Sequence, residues 1–210
     1  MKKGLFITVE GGDGSGKTTQ LSFIRSYLEE RGEDVLFTRE PGGTPISEKI
    51  RTLILDPANK EMDPMTEALL YAASRAQLVS EVIRPALEAG KIVVCDRYVD
   101  SSIAYQGYAR GLGDSIININ GFAIGDCVPD ATILIKVDPA RSHARIDASS
   151  MDRMEQENMR FHKRVYEGYL ALEKAYPDRI IGIDGEQSIE AVSKQIAAHL
   201  DRLLIKRHGL

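Results

Sequence analysis

Short apolar runs alternate with longer amphipathic stretches along the whole chain. The runs, rich in β-branched residues, predict strands over Leu5–Val9, Asp34–Thr38, Ile92–Cys95, Thr132–Val137 and Ile180–Ile183. The stretches between them predict helices over Lys17–Glu30, Ile46–Leu55, Pro64–Glu88, Ser115–Ile124, Pro139–Ile146, Glu155–Ala175 and Ile189–Lys206. Several helix ends are marked by residue type. Asp63-Pro64 reads as an N-cap followed by proline in the first turn. Gly32 and Gly90 stand where a left-handed residue closes a helix. The last helix aligns Ile189, Val192, Ile196, Leu200 and Leu203 on one face. Five short apolar strands separated by helices predict an α/β fold with a parallel sheet covered on both faces. There is no repeat, low-complexity tract or linker, so residues 1–210 are expected to form one domain.

In such sheets ligands bind beyond the carboxyl ends of the strands, so the strand exits carry the most information. The first exit is Glu10 followed by Gly11-Gly12-Asp13-Gly14-Ser15-Gly16-Lys17-Thr18-Thr19, which contains G-x-x-x-x-G-K-[ST] from Gly11 to Thr18. Glycines there permit the left-handed dihedrals that aim several backbone N–H groups at one phosphate. The following helix adds its unpaired donors and dipole. Lys17 offers a point charge to the outer phosphates, and the Thr18 hydroxyl is placed to ligate Mg²⁺. An ordinary glycine turn seldom sits between a strand and a helix in this way, so the loop marks a nucleoside-triphosphate site.

Composition narrows the class. The chain has 28% charged and 43% hydrophobic residues, the balance of a soluble globular protein, and a net charge of −4 that argues against a general nucleic-acid surface. Cys95 and Cys127 lie in apolar surroundings without a pairing pattern, which predicts free thiols in a reducing compartment. Met1-Lys2-Lys3 resembles the start of a signal peptide, but the apolar run behind it is a short strand entering the loop. No stretch reaches the roughly twenty apolar residues of a membrane span. The expected location is the cytoplasm, with no membrane partner.

Four further constellations bear on chemistry. Asp96-Arg97 after the third strand could hold a Mg²⁺ shell and a phosphate, or form a strand-end salt bridge. Arg39-Glu40-Pro41-Gly42-Gly43-Thr44 after the second is a stiffened glycine turn or a backbone approach to ligand, and Arg51 lies on the helix beyond it. Tyr71 and Arg75 share a helix face and could stack on and hydrogen-bond a flat heterocycle; spacing alone favours a surface contact. Residues 140–155 are irregular in the middle and carry Arg141, Arg145 and Arg153, as a closing lid would need. The positions between Gly11 and Gly16 hold no cation, so this segment is the natural source of catalytic charge.

In this order, EGGDGSGKTTQ, TREPGGTPISEKIR, LLYAASRAQ, CDRYVDSSIAYQGYARGLG and MDRMEQENMRFHKRVYEGY resemble the thymidylate kinase family, from Leu5 to the final helix. The resemblance implies a three-layer P-loop NTPase fold with a five-stranded parallel sheet and a short lid, and usually a homodimer. It implies phosphorylation of dTMP to dTDP by ATP with Mg²⁺, a step in dTTP synthesis. By the same resemblance Lys17 and Thr18 serve ATP and Mg²⁺, and Asp13 meets the acceptor sugar and phosphate. Arg39 and Arg97 clamp the dTMP phosphate, Asp96 and Glu40 organise metal and arginines, and Arg51 reaches the transferred group. Arg75, Ser102 and Gln106 hydrogen-bond thymine, and Tyr105 packs on deoxyribose. Tyr71 stands where the family commonly has phenylalanine, and Asp147, Ser149 and Ser150 make the lid less basic than in many bacterial members. Arg145 and Arg153 are the lid's candidates. Two other readings compete: a different nucleoside or nucleoside-monophosphate kinase, which would differ at Arg75, Tyr105 and Gln106, and a non-catalytic nucleotide switch. The switch leaves Asp13, Asp96-Arg97 and the arginine segment without a common purpose.

Overall fold

A computed structural model describes residues 4–147, 149 and 151–209. Ser150 of the expected lid and the opening Met1-Lys2-Lys3 lie outside the described residues. The strands are β1 (Leu5–Glu10), β2 (Val35–Arg39), β3 (Ile92–Asp96), β4 (Ala131–Lys136) and β5 (Ile180–Asp184). They form one parallel sheet in the order β2-β3-β1-β4-β5, with Leu5 opposite Ile92 and Ile7 opposite Ala131. Each expected strand is present within one or two residues of its predicted ends.

The helices are α1 (Lys17–Glu29), α2 (Pro45–Leu55), α3 (Pro64–Leu78), α4 (Arg84–Glu88), α5 (Val99–Ser102), α6 (Ser115–Ile124), α7 (Pro139–His143), α8 (Met159–Ala175) and α9 (Ile189–His208). The predicted helix Pro64–Glu88 is continuous but widens into a π-helical stretch at Val79–Ile83 between α3 and α4. Its start is as read: Asp63 caps the first turn, accepting from Met65 N at 2.8 Å. Gly32 and Gly90 take φ of 71° and 78°, as their helix-closing role requires. The first helix ends one residue early, at Glu29, and two others are shorter by three or more residues. The predicted Pro139–Ile146 ends at His143, and Glu155–Ala175 begins at Met159. In the second case Asp152 gathers the N–H groups of Met154 and Glu155 at 2.8 and 2.9 Å into a separate turn, and Asn158 caps α8 through Phe161 N at 3.0 Å.

Alternation along each strand divides the core. Leu5, Ile7 and Val9 with Ile92 and Val94 pack against Ile24 and Leu28 of α1 and Val192, Ile196 and Leu200 of α9. On the other face Phe6, Val93 and Cys95 meet Leu78, Val79 and Ile83. A third cluster sets Leu134 and Ile180 against Tyr105, Phe161, Val165 and Tyr169. Cys95 and Cys127 are free and buried, as expected. No helix among the described residues is long and apolar enough to cross a membrane.

One element went unread in the sequence. Val99–Ser102 is helical and runs into a π-helical turn, Ile103–Ala109. Its polar residues Asp100, Ser102 and Gln106 are as buried as its apolar ones, so no apolar stripe betrays it.

Candidate active site

The carboxyl ends of β1, β2 and β3 open onto a cavity of about 290 Å³. Asp13, Lys17, Thr18, Arg39, Glu40, Arg51, Tyr71, Arg75, Asp96, Arg97, Ser102, Tyr105 and Gln106 all line it. Residues dispersed over ninety positions of sequence thus meet in one place.

The phosphate loop is held by backbone demands. Gly11, Gly14 and Gly16 take φ of 145°, 74° and 95°, and a Cβ on Gly14 would lie 2.1 Å from the carbonyl oxygen of Ser142. Lys17 folds back over the loop, donating to the carbonyls of Gly11 at 3.0 Å and Gly12 at 2.9 Å. Burial, with Arg97 next to it, pulls the Lys17 ammonium down to about 8 despite Asp13, Asp96 and Glu10 nearby. The Oγ of Ser15 is buried without a partner, and Thr18 and Thr19 stand exposed in the first turn of α1. This donor set fits a triphosphate. Asp96 ends β3 with Oδ1 buried and without a hydrogen-bond partner, facing the cavity shared with Thr18. A hard oxygen-seeking cation fits that pair.

Arg97 is the pivot between loop and sheet. It holds φ of 64°, a left-handed conformation costly for a residue with a Cβ. Its guanidinium donates to Asp13 Oδ1 at 2.5 Å, to the Gly11 carbonyl at 2.8 Å and to the Tyr169 hydroxyl at 3.2 Å. The strand-end bridge is therefore made to Asp13 of the loop. Burial alone would raise the Asp13 carboxyl, but Arg97 and Lys17 outweigh it and bring the pKa down to about 2. Tyr105 donates its hydroxyl to Asp13 Oδ2 at 3.1 Å, and its ring lies 5.3 Å from the Arg97 guanidinium.

At the cavity rim Arg39 and Arg51 donate to the same carbonyl, that of Pro41, at 2.8 and 2.9 Å. Arg39 also forks onto Glu48 with two contacts of 3.0 Å. Two cations converging on one oxygen repel each other; burial and then Arg39 depress the Arg51 guanidinium. An anion between them would relieve this.

The surface reading of Tyr71 and Arg75 is corrected. Arg75 is 1% exposed and among the largest fully buried side chains. Its Nε donates to Glu40 at 2.7 Å, Nη1 to Ser102 at 2.9 Å and to Asn120, and Nη2 to the Tyr98 carbonyl at 3.0 Å. Burial pushes the Glu40 carboxyl up while Arg75 opposes it. Glu40 thus organises an arginine, as the resemblance implied, but that arginine is Arg75. Tyr71 is half-buried a turn earlier, and burial and then Glu67 push its phenol up, keeping it neutral. Gln106 donates to Glu67 at 2.9 Å.

The two lid candidates part company. Arg145 is exposed and donates to the Gly14 carbonyl at 3.3 Å, against the phosphate loop. Arg153 is 7% exposed and locked inward, with Nε on the Ile54 carbonyl at 2.7 Å and Nη2 2.7 Å from Glu67. It is not among the residues lining the cavity.

Comparison with known proteins gives this arrangement a lineage. The sequence profile of the family described as Thymidylate kinase matches residues 9–196. The chain belongs to the thymidylate kinase family. Curated relatives with that name include one from Halalkalibacterium halodurans, 50% identical with all of both chains covered. Another, from Oceanobacillus iheyensis, is 53% identical over 91% of this chain and 87% of its own. The crystal structure of thymidylate kinase from Ehrlichia chaffeensis superposes with a TM-score of 0.78 at 36% identity, covering 95% of this chain and 99% of that one. The chain is therefore an enzyme of the kinase class on the P-loop fold.

Within this family's site, sequence reading missed the residues that hold the others. Glu10 is fully buried and accepts from Tyr98 N at 2.7 Å, Ser101 Oγ at 2.6 Å and Tyr169 OH at 3.0 Å. Burial, then Asp100, raises its carboxyl to about 7. Ser101 and Tyr169 in turn orient Arg97. All three lay inside motifs quoted above, and the charge at the first strand exit was the available signal. Glu67 and Asn120 carried none.

Proposed function

We propose that the chain transfers the terminal phosphoryl group of ATP to dTMP, giving ADP and dTDP, as one kinase domain whose residues 140–155 act as a lid. The observation that carries this reading is the Asp13–Arg97 pair, which ties the triphosphate loop to the acceptor wall within a single cavity. Bound at Thr18 and Asp96, Mg²⁺ would neutralise charge on the phosphate oxygens. Lys17 and the loop amides hold the donor phosphates. Arg39, Arg51 and Arg97 clamp the acceptor phosphate and orient it towards the donor. Asp13, kept ionised, accepts from the deoxyribose hydroxyl. Tyr71 stacks on thymine, Arg75, Ser102 and Gln106 surround its edge, and Tyr105 fills the space a 2′-hydroxyl would need. Arg145 brings a cation over the transferred group, where charge spreads in the transition state. The acceptor phosphate is ionised at neutral pH, so no general base is needed. Leu69 on α3 and Phe122 on α6, exposed at 51% and 91%, support a homodimer through these helices.

ADP release, coupled to a reporter, against dTMP, dUMP, UMP, CMP and AMP tests the reading. Turnover is expected to be fastest with dTMP. Activity with AMP or UMP but not dTMP would assign the chain a different acceptor, and no response to any acceptor would favour a nucleotide switch.

A further inference from the structure

Glu67 stands behind the far end of the cavity, takes no part in phosphate chemistry and is fully shielded from solvent. Three side chains converge on its carboxylate. Gln106 Nε2 and Arg110 Nε donate to Oε1 at 2.9 and 3.2 Å, and Arg110 Nη2 donates to Oε2 at 2.9 Å. Arg153 Nη2 lies 2.7 Å from Oε2. Burial opposes ionisation, but Arg110 leads the groups that hold this carboxyl below the usual range. An ionised carboxylate can only accept hydrogen bonds. The end of Gln106 that faces it must therefore be the NH₂ group, since the reverse orientation would press two acceptors together. The amide's other end, Oε1, is left for the cavity that Gln106 lines, and no described residue donates to it.

We infer that Glu67 is a positioning residue for base selection, fixing Gln106 so that it offers the base an acceptor and never a donor. Thymine and uracil present an N3–H there and are accepted. Cytosine presents a bare N3 lone pair and is rejected. The inference rests on the reading that Gln106 faces the base, and the test separates the two.

The measurement is calorimetric affinity for dTMP and dCMP with wild type, Glu67→Gln and Gln106→Ala. The Glu67→Gln amide can pair with Gln106 in either orientation, so the dTMP-to-dCMP affinity ratio should narrow by about tenfold. A merely structural role would weaken both nucleotides alike and leave the ratio standing, which would overturn the inference. An unchanged ratio in Gln106→Ala would mean that Gln106 does not read the base, and the underlying reading would fall with it. A ratio lost in Gln106→Ala but kept in folded Glu67→Gln would sink the role of Glu67 alone. Should Glu67→Gln not fold, the wild-type protein still decides. The Gln106 side-chain amide, identified in ¹⁵N spectra by its loss in Gln106→Ala, should be protected from solvent exchange before nucleotide is added. Fast exchange would put the NH₂ in the cavity and contradict the inference.

Discussion

The phosphate loop presents its ligand surface through glycine backbone, one lysine and short hydroxyls, whereas the opposite wall, from α3 and the π-helical turn after α5, is a lattice of buried charge. In the loop Lys17 folds onto carbonyls five and six residues away, and the distant ties run through Gly11 and Asp13 to Arg97. In the wall Arg75 joins Glu40, Ser102 and Asn120, at separations of 35, 27 and 45 residues. Phosphate is recognised by a concavity of N–H groups, which glycines close together in sequence can form. Telling one base from another requires acceptors and donors in fixed places, and buried ion pairs supply that fixity.

Arg145 and Arg153 of the proposed lid should separate the two regions by the widest margin. If Arg145 serves the donor side, Arg145→Ala should lower kcat by roughly 10³ or more with the thermal midpoint unchanged. Arg153→Ala should do the opposite, because it removes one of the two guanidinium groups that neutralise Glu67. The expected loss there is about 1–3 kcal/mol of stability. ADP release and thermal unfolding, run on both variants, check the pair. A folded Arg153→Ala protein with Arg145-sized loss of kcat would reverse the assignment.

A smaller effect separates the two sides by pH. The Lys17 ammonium falls to about 8 in the folded protein from an ordinary 10.5. The folded chain therefore binds fewer protons than the unfolded one between those values, and this group makes stability rise with pH across that window. A triphosphate favours the charged ammonium, so its binding above pH 8 should take up protons and weaken, approaching tenfold per pH unit. Calorimetry in buffers of different ionisation enthalpy reads the uptake directly. Equal heats in all buffers at pH 9 would exclude it.

The same division governs what the sequence disclosed. The sheet was legible because its central strands, buried on both faces, are mostly apolar, and the loop because its glycines are required locally. Asp13 and Arg97 were found at strand exits, where an α/β sheet places ligands. Arg75 was harder: an arginine four residues after a tyrosine looks the same on a surface helix, and only Glu40 and Asn120, far away in sequence, make it a buried residue. Glu67 reads as an ordinary helix glutamate until Arg110 and Arg153 arrive. The helix from Val99 was hidden for the same reason, since its buried polar residues have partners that spacing does not reveal.

On the proposed reading, one cavity holds the donor on the loop and the acceptor on the wall. This arrangement is tested most directly by titrating Lys17→Ala with dTMP and with a non-hydrolysable ATP analogue. The analogue should bind at least about tenfold more weakly, because a buried charged contact is lost, while dTMP should bind as it does to the wild type. Loss of dTMP with the analogue retained, in a folded protein, would contradict it.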